Sequence, residues 1–315
     1  MSAAAITQRA SGLDKVLVVT VTYHPDLDVL RRQMQLLPPE CPKVVIDNAS
    51  GEATVQALLA LQKTVPRLQV VANTQNLGLA AALNQGIKQG RAQWPTVEYC
   101  LLLDQDSEPQ PGSVQALWDA MDGLQRGGLN PGTVGPMLLD VETGLQHGFH
   151  QATRWRWRRI YPEAGSLQAV PCTNVNGSGS LVPVHLFDEL GGLDEAFFID
   201  HVDTEWAFRV LHHGYSLWGI PKAIFKHRMG QKTLKYWLFG WRVWPYRSPI
   251  RHYYLFRNAI WLVRNDCVPG VWRFWAVIKL GITIVVHGIF DSQRMVQLTH
   301  MWRGVVSASN VKKYR

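Results

Sequence analysis

Cysteine is scarce in this sequence and unpaired. Cys41, Cys100, Cys172 and Cys267 are its four cysteines, scattered over 315 residues, so neither a zinc-binding spacing nor a small disulfide framework is on offer. The first dozen residues lack the apolar run that a signal peptide carries. Together these absences predict a reduced, cytoplasmic protein. A glycine-rich turn is missing where a dinucleotide-binding oxidoreductase would need one. The first apolar run ends in Tyr23-His24-Pro25-Asp26, with no Gly-x-Gly-x-x-Gly. Internal repeats and low-complexity tracts are absent too. With 47 % hydrophobic and 18 % charged residues, the composition is that of a folded chain with one large core or two modest ones.

Acidic residues are nearly missing from the last third. From Trp206 onward, 18 Lys and Arg face only Asp266 and Asp291, about +16 in all, whereas the preceding residues carry 14 basic and 22 acidic side chains. Nine of the 13 tryptophans also fall in the later part. A nucleic-acid-binding protein would account for that basic, aromatic end. It would not account for the acidic body in front of it, so no nucleic acid is expected as a partner. Long hydrophobic runs are lacking as well: beyond Thr233 the longest segment without Asp, Glu, Lys or Arg is 280–290, and it contains His287. That falls short of the roughly 20 residues needed to span a bilayer. The expectation is therefore of helices lying on an anionic membrane surface, with Arg247 and Arg251, one helical turn apart, in an interfacial polar stripe. An ordinary basic face is the plainer alternative.

What is present is strand–helix alternation. Residues 15–23 (KVLVVTVTY) form a β-branched run suited to a strand buried on both faces. His24-Pro25-Asp26 breaks it, and Asp26 is placed to cap a helix through Leu36. Strands are expected at 44–47, 68–72 and 99–103, with helices at about 52–63 and 77–89 between them, which argues for a mostly parallel sheet covered by helices. Further on, 132–139 and 178–184 read as strands, 140–162 as a polar and aromatic excursion containing Arg154-Trp155-Arg156-Trp157-Arg158-Arg159, and 202–213 as a helix stopped by Gly214.

Several residues on this frame can carry chemistry. Asp104 and Asp106 follow Leu101-Leu102-Leu103 and so project from the carboxyl end of a sheet, where two carboxylates suit a hard cation bridging phosphates. A solvated acidic turn is the bland alternative. Asp47 ends an earlier strand and can accept hydrogen bonds from a base or ribose, or simply cap the next helix. Asn76-Leu77-Gly78 and Asn84-Gln85-Gly86 can bring backbone close to a nucleotide, although turn chemistry explains them nearly as well. Asp203 and Glu205 open a helix whose dipole favours their ionised form. Such a carboxylate in a cleft can act as general base for a hydroxyl nucleophile, or merely suit the dipole. His227, after an apolar strand at 223–225, can ligate a metal as neutral imidazole, as few lone histidines do.

Taken in order, the strings VVIDNAS (44–50), NLGLAAALNQGI (76–87), LLLDQDS (101–107), NGSGSLV (176–182), LFDELGGLDEAFFIDHVDTEWAFR (186–209) and SPIRHYYLFRNAI (248–260) resemble the inverting glycosyltransferases of family 2, and among them the bacterial rhamnosyltransferase branch. The resemblance spans about residues 15–265. It implies an α/β fold of GT-A type, a Rossmann-like nucleotide-binding mixed sheet flanked by helices, with C-terminal amphipathic helices. Residues 1–14 would be a disordered N-terminus and 15–231 the catalytic domain, with donor-binding half 15–107 and acceptor half 108–231. Residues 232–315 would be a basic, Trp-rich, helical membrane-associating region.

By the same resemblance Tyr23, Asp47, Asn76, Gly78, Asn84 and Asp104 would bind the donor, and Asp106 and His227 would hold Mg²⁺ or Mn²⁺. Asp203 would be the catalytic base, with Glu205, Trp206, Ser178 and Gly179 beside the acceptor or supporting the base. Val202 stands where many members carry the Glu of a Glu-Asp pair, which leaves the tuning of the base open. The implied donor is dTDP-L-rhamnose, with a UDP-sugar on the same fold as the alternative. The implied acceptor is a lipid-linked saccharide of lipopolysaccharide core, O-antigen, polyprenyl or rhamnolipid type. The implied place of work is the cytoplasmic face of the inner membrane.

Overall fold

The computed structural model describes residues 12–141, 143–227, 233–237 and 241–309. A short 3-10 turn, Leu13–Lys15, buries Leu13 and leads into β1 (Val16–Thr22), which is buried along its whole length. Residues 12–14 are thus ordered, against the disorder expected of them, because Leu13 joins the core; residues 1–11 lie outside the described residues. The helix α1 (Leu27–Leu36) begins where Asp26 accepts hydrogen bonds from the backbone N–H groups of Asp28 and Val29. Next come β2 (Lys43–Asp47), α2 (Glu52–Gln62), β3 (Leu68–Ala72), α3 (Leu79–Gln93) and β4 (Tyr99–Asp104). β1 lies between β2 and β4, all parallel, with Thr22 opposite Asp47 and Val21 opposite Asp104. That register puts the two acidic strand ends along one edge of the sheet, where open α/β sheets bind ligands.

The second half folds back against this unit. In chain order it comprises β5 (Glu108–Pro109), α4 (Ser113–Arg126), β6 (Pro131–Asp140), β7 (Gln146–His147), β8 (Phe149–Ala152), β9 (Trp157–Ile160), β10 (Val170–Cys172), β11 (Ser180–Pro183), α5 (His185–Glu189), α6 (Val202–His212) and β12 (Ser216–His227). β11 runs antiparallel to both β4 and β6, so the parallel unit of the first hundred residues becomes part of a mixed sheet, in order β10-β12-β6-β11-β4-β1-β2-β3, as the fold type expected from the sequence requires. The polar excursion at 140–162 contains a separate antiparallel hairpin of β8 and β9. β5 is only two residues long, yet it pairs Glu108 with Lys226 and so draws the end of β12 to the turn that follows β4. Alternate residues of the central strands face opposite sides. Leu17, Val19 and Leu102 join the core shared with α3 and α6, while Val16, Val18 and Leu101 join that shared with α1 and α4.

The C-terminal region departs from the all-helical expectation. A hairpin of β13 (Thr233–Trp237) and β14 (Trp241–Pro245) comes first, followed by α7 (Pro249–Val263), α8 (Gly270–Phe290) and α9 (Arg294–Ser309). These helices are continuous with the body, since Trp261, Leu262, Val268, Trp272 and Ala308 belong to the same buried cluster as Leu17 and Phe208. The helix α8 runs unbroken through Arg273 and Lys279, which makes it long and apolar enough to cross a membrane by length and composition. The run at 280–290 gave only its second half. One face of α8 buries Trp272, Thr283, Val286 and His287, and another exposes Phe274, Trp275, Val277, Val285 and Ile289.

Candidate active site

Because β5 ties Glu108 to Lys226, the Asp104-Gln105-Asp106-Ser107 turn meets His227. One donor atom from each of Asp104, Asp106 and His227 lies within 4.8 Å of the other two. His227 Nδ1 is 3.4 Å from Asp106 Oδ1 and 2.8 Å from Ser107 Oγ. Ser178 Oγ completes the frame: it is 2.6 Å from Ser107 Oγ and accepts the Asp104 backbone N–H at 3.0 Å. Gly179, at φ +84°, donates its N–H to Leu102 O, and a Cβ there would meet Pro136. Ser178 and Gly179 therefore sit behind the acidic turn and brace it.

Burial pushes the Asp104 carboxyl up to about 6, with Asp106 and Asp203 adding to the rise and His227 and Arg251 opposing it. A cation among these donors would lift that penalty, since positive charge within a few ångströms favours the carboxylate. Two carboxylates and an imidazole form a hard, mixed O/N donor set that suits Mg²⁺ or Mn²⁺. The residues present thus fit a divalent metal.

Asp203 lies at the start of α6, near enough to Asp104 to act on its charge. Its Oδ1 accepts from the Thr204 N–H at 2.8 Å and its Oδ2 from the Gly177 N–H at 3.2 Å. Burial raises its pKa above the usual carboxylate value, and the Thr204 and Gly177 N–H groups work against that rise. A half-buried carboxylate with a raised pKa and two fixed N–H donors is aimed and basic, which is what proton abstraction from a hydroxyl requires.

The segment leading into Asp203 is strained. Phe198, Asp200 and His201 have φ of 54°, 61° and 66°, a region that costs non-glycine residues energy. Asn258 on α7 holds it, its Nδ2 donating to the carbonyls of Phe197, Ile199 and Asp200 at 2.7 to 2.8 Å. Leu79 N–H donates to Phe198 O, and Gly78, at φ +86°, lies so close that a Cβ would come within 2.6 Å of the Phe198 ring. Asp200 is paired with Arg251 at 2.6 Å and with Arg247 at 3.7 Å. This corrects the interfacial stripe expected of those arginines: both turn inward because a carboxylate only 7 % exposed needs compensating charge.

The other expected residues divide into two groups. Tyr23 is exposed at the edge of the cleft, where its N–H donates to Gln105 Oε1, so it is free to meet a ligand. Asp47 is fully buried, with Oδ1 accepting from Thr22 and Ser50 hydroxyls and Oδ2 from the Ser50 N–H. Asn76 Oδ1 accepts from Asn48 Nδ2 and from the Gly78 N–H, shaping the loop before α3. Asn84 lies away from the acidic turn: it clamps the 193–195 loop by donating to Leu193 O and Glu195 and accepting from the Leu193 N–H. Glu205 and Trp206 are engaged with other partners than Asp203. Glu205 pairs with Arg209 at 2.7 Å, and Trp206 stacks on Phe187 with centroids 4.9 Å apart. Residues two apart on a helix point in nearly opposite directions, so an acid two residues from the base lands in the core instead of the cleft.

Sequence reasoning missed Asp200, Ser107, Arg251 and Asn258 as site-building residues. Their strings were visible, but the ion pair and the three-carbonyl clamp join positions more than 50 apart. The signal available was that Arg251, Arg257 and Asn258 fall in one motif string, 248–260, apart from the acid-bearing string at 186–209.

Comparison with known proteins agrees with this geometry. The chain is 29 % identical over 260 residues to the dTDP-rhamnosyl transferase RfbF of Shigella flexneri, covering 81 % of each chain. It is 28 % identical over 287 residues to an N-acetylglucosaminyl-diphospho-decaprenol L-rhamnosyltransferase of Mycobacterium tuberculosis, covering 82 % of this chain and 87 % of that one. Its fold is shared with the mannosyltransferase PcManGT of Pyrobaculum calidifontis, solved with GDP-Man and Mn²⁺, at a TM-score of 0.55 and 14 % identity, over 94 % of this chain and 87 % of that one. The sequence pattern of Glycosyl transferase family 2 matches residues 27–191. With more than half of its length matched and a GT-A fold built around an acidic strand end, the chain belongs to Glycosyl transferase family 2.

Proposed function

We propose that the protein transfers L-rhamnose from dTDP-L-rhamnose to a hydroxyl of a lipid-anchored saccharide, with inversion at the anomeric carbon, during assembly of a cell-surface polysaccharide such as lipopolysaccharide core or O-antigen. The observation that carries this reading is the meeting of Asp104, Asp106 and His227 within electrostatic reach of Asp203. Asp106 and His227 would hold Mg²⁺ or Mn²⁺ with Asp104 beside them. The metal, when bound, would neutralise the charge that develops on the nucleoside diphosphate leaving group. Asp203, held by the Thr204 and Gly177 N–H groups, would take the proton of the acceptor hydroxyl as it attacks from the face opposite the diphosphate. Tyr23 at the cleft edge offers a ring face to the base. One displacement inverts the carbon, and no covalent enzyme intermediate is needed.

The names of the two relatives favour the rhamnosyl donor; a UDP-sugar is the competing choice, because donor identity rests on a few pocket contacts. Calorimetric titration of dTDP-L-rhamnose and of UDP-sugars, with and without Mg²⁺ or Mn²⁺, separates the two. Metal-dependent binding of the rhamnose donor alone supports the reading, preference for a UDP-sugar removes the rhamnosyl assignment, and no nucleotide-sugar binding removes the function.

The same reading places the enzyme on the cytoplasmic face of the inner membrane. Support comes from the exposed apolar face of α8, with Trp275, Val277 and Ile289, and from exposed Trp302 on α9. Its inner face carries Lys279 and buried Trp272 against the catalytic body, which suits a helix lying along the surface. Flotation with anionic vesicles at low salt tests this, and protein left wholly in the soluble fraction would refute it.

A further inference from the structure

The inner face of α8 holds a feature that the transfer chemistry leaves unexplained. Trp272, Ala276, Lys279, Thr283 and Val286 recur at steps of four and three, one stripe of a helix. Trp272 packs on Phe208 and His201, at centroid separations of 5.5 and 5.7 Å, so this stripe faces the catalytic body. Trp272, Thr283 and Val286 on it are buried. Lys279, in the middle of the same stripe, is solvent-accessible. Lys279 thus sits on the body-facing stripe and is exposed to solvent, at the seam between α8 and the body.

Beside this seam is the hairpin of β8 and β9. His150 pairs in register with Arg159, and Arg159 Nε donates to His150 Nε2 at 2.8 Å. An imidazole nitrogen that accepts from a guanidinium is unprotonated, so His150 adds no positive charge and cannot neutralise any. Arg159 shares its side of the strand with Trp157, whose ring packs against His150 and Phe208, so this side of the hairpin turns toward the body. Arg247 and Arg251 stand on the wall formed by Asp200, three residues before Asp203.

Charge is left over here. Asp200 serves both Arg247 and Arg251. Among the described residues no carboxylate comes within ion-pair distance of Arg159 or Lys279, so four cations share one anion. Lys279 registers the crowding: desolvation lowers its pKa, Arg247 and Arg159 lower it further, and Asp200 only partly offsets them. Such an excess of positive charge attracts an anion. Arg251 acts on Asp104 as well as on Asp200, whereas Lys279 is in the company of Arg247, Arg159 and Asp200. The excess therefore extends from the Asp203 side of the cleft toward the hairpin, away from the metal donors.

We propose that Arg159, Lys279 and Arg247 form a phosphate-binding subsite for the acceptor, gripping the phosphate or diphosphate that joins its sugar to its lipid. The proposal rests on the glycosyl-transfer reading above and adds the chemical class of the acceptor. The layout matches the order of parts in such a molecule. The outer face of α8, with exposed Phe274, Trp275, Val277 and Val285, receives the hydrocarbon; the cations at the seam beneath it receive the phosphate; and Asp203 meets the sugar hydroxyl. An acceptor sugar on a neutral lipid would leave Arg159 and Lys279 without a counter-charge.

The test uses decyl diphosphate, a neutral decyl glucoside and phosphatidylglycerol vesicles as probes of the full-length protein, with EDTA present so that the metal site does not capture phosphate. Wild type is expected to bind decyl diphosphate at least tenfold more tightly than the glucoside. Arg159→Gln with Lys279→Met should abolish that preference, while Arg159→Lys with Lys279→Arg should retain most of it. An unchanged preference in the Gln/Met variant would overturn the subsite. So would an equal loss of vesicle binding, which would make the cluster a headgroup contact, or competition by dTDP under EDTA, which would assign it to the donor's own diphosphate. Metal-dependent dTDP-L-rhamnose binding, measured on the same samples without EDTA, reports separately on the glycosyl-transfer reading and is expected to be the same in wild type and variant.

Discussion

Arg251 grips both oxygens of Asp200, Nη2 donating to Oδ1 at 2.6 Å and Nε to Oδ2 at 3.1 Å. The pair joins α7 to the strained segment that delivers Asp203, so the C-terminal helices hold the catalytic loop in place. Burial alone would raise the Asp200 pKa, but Arg251 and Arg247 outweigh it and the net shift is downward. Arg251→Met should cost on the order of 2–3 kcal/mol, somewhat under the roughly 3–5 kcal/mol of a fully buried broken pair because Arg251 is itself half exposed. The contribution of Asp200 is present above its unfolded value of 3.8 and fades as pH falls through the lower folded value. Urea denaturation should therefore show the wild-type advantage over Arg251→Met shrinking below about pH 4.

Asp203→Asn is expected to bind donor as wild type does and to lose transfer by roughly 10²- to 10⁴-fold. Because burial raises the Asp203 pKa, the acidic limb of kcat/KM should lie above the usual 3.8, with activity falling as pH drops through it and the base becomes protonated. Near-normal turnover in the variant would remove Asp203 from the mechanism.

Asp106→Ala and His227→Ala should each weaken metal-dependent donor binding by roughly tenfold or more, as loss of one donor from a three-donor site implies. Titration calorimetry decides this: unchanged donor affinity with saturating Mn²⁺ would sink the assignment.

Asn258→Ala strips a shared donor from the carbonyls of Phe197, Ile199 and Asp200. Stability should drop by about 1–3 kcal/mol. Turnover should fall with it, because His201 and Asp203 follow directly on that segment. A variant with a normal melting temperature and normal kcat would show that the clamp has no role.

Glu205→Gln provides the contrast. Burial raises the Glu205 pKa, Arg209 partly offsets it, and the side chain faces the core. The substitution should cost about 1–3 kcal/mol of stability while leaving kcat within a few-fold of wild type. A hundredfold loss of kcat in well-folded protein would bring Glu205 back into the cleft.

The amino-acid sequence by itself determined the local features. Residues 16–22 read as a buried strand because Val and Leu supply apolar side chains to both of its faces. Asp26 could be read as a cap, and Asp104 and Asp106 as strand-end carboxylates, because those properties depend on neighbours within a few positions. The family could be read as well, from ordered strings along the chain. The tertiary structure alone decided which side chains meet. The antiparallel β11 turned a parallel unit into a mixed sheet, and the two-residue β5 brought His227 to Ser107, across 120 positions of chain, and so to Asp106. Arg247 and Arg251 looked like a membrane stripe because sequence shows their spacing but not the buried Asp200 they neutralise. Glu205 read as an acceptor-side or supporting residue beside Asp203, and on the helix it pairs with Arg209. Spacing along a chain fixes the period of side chains, and only the packing of distant segments fixes where each face points.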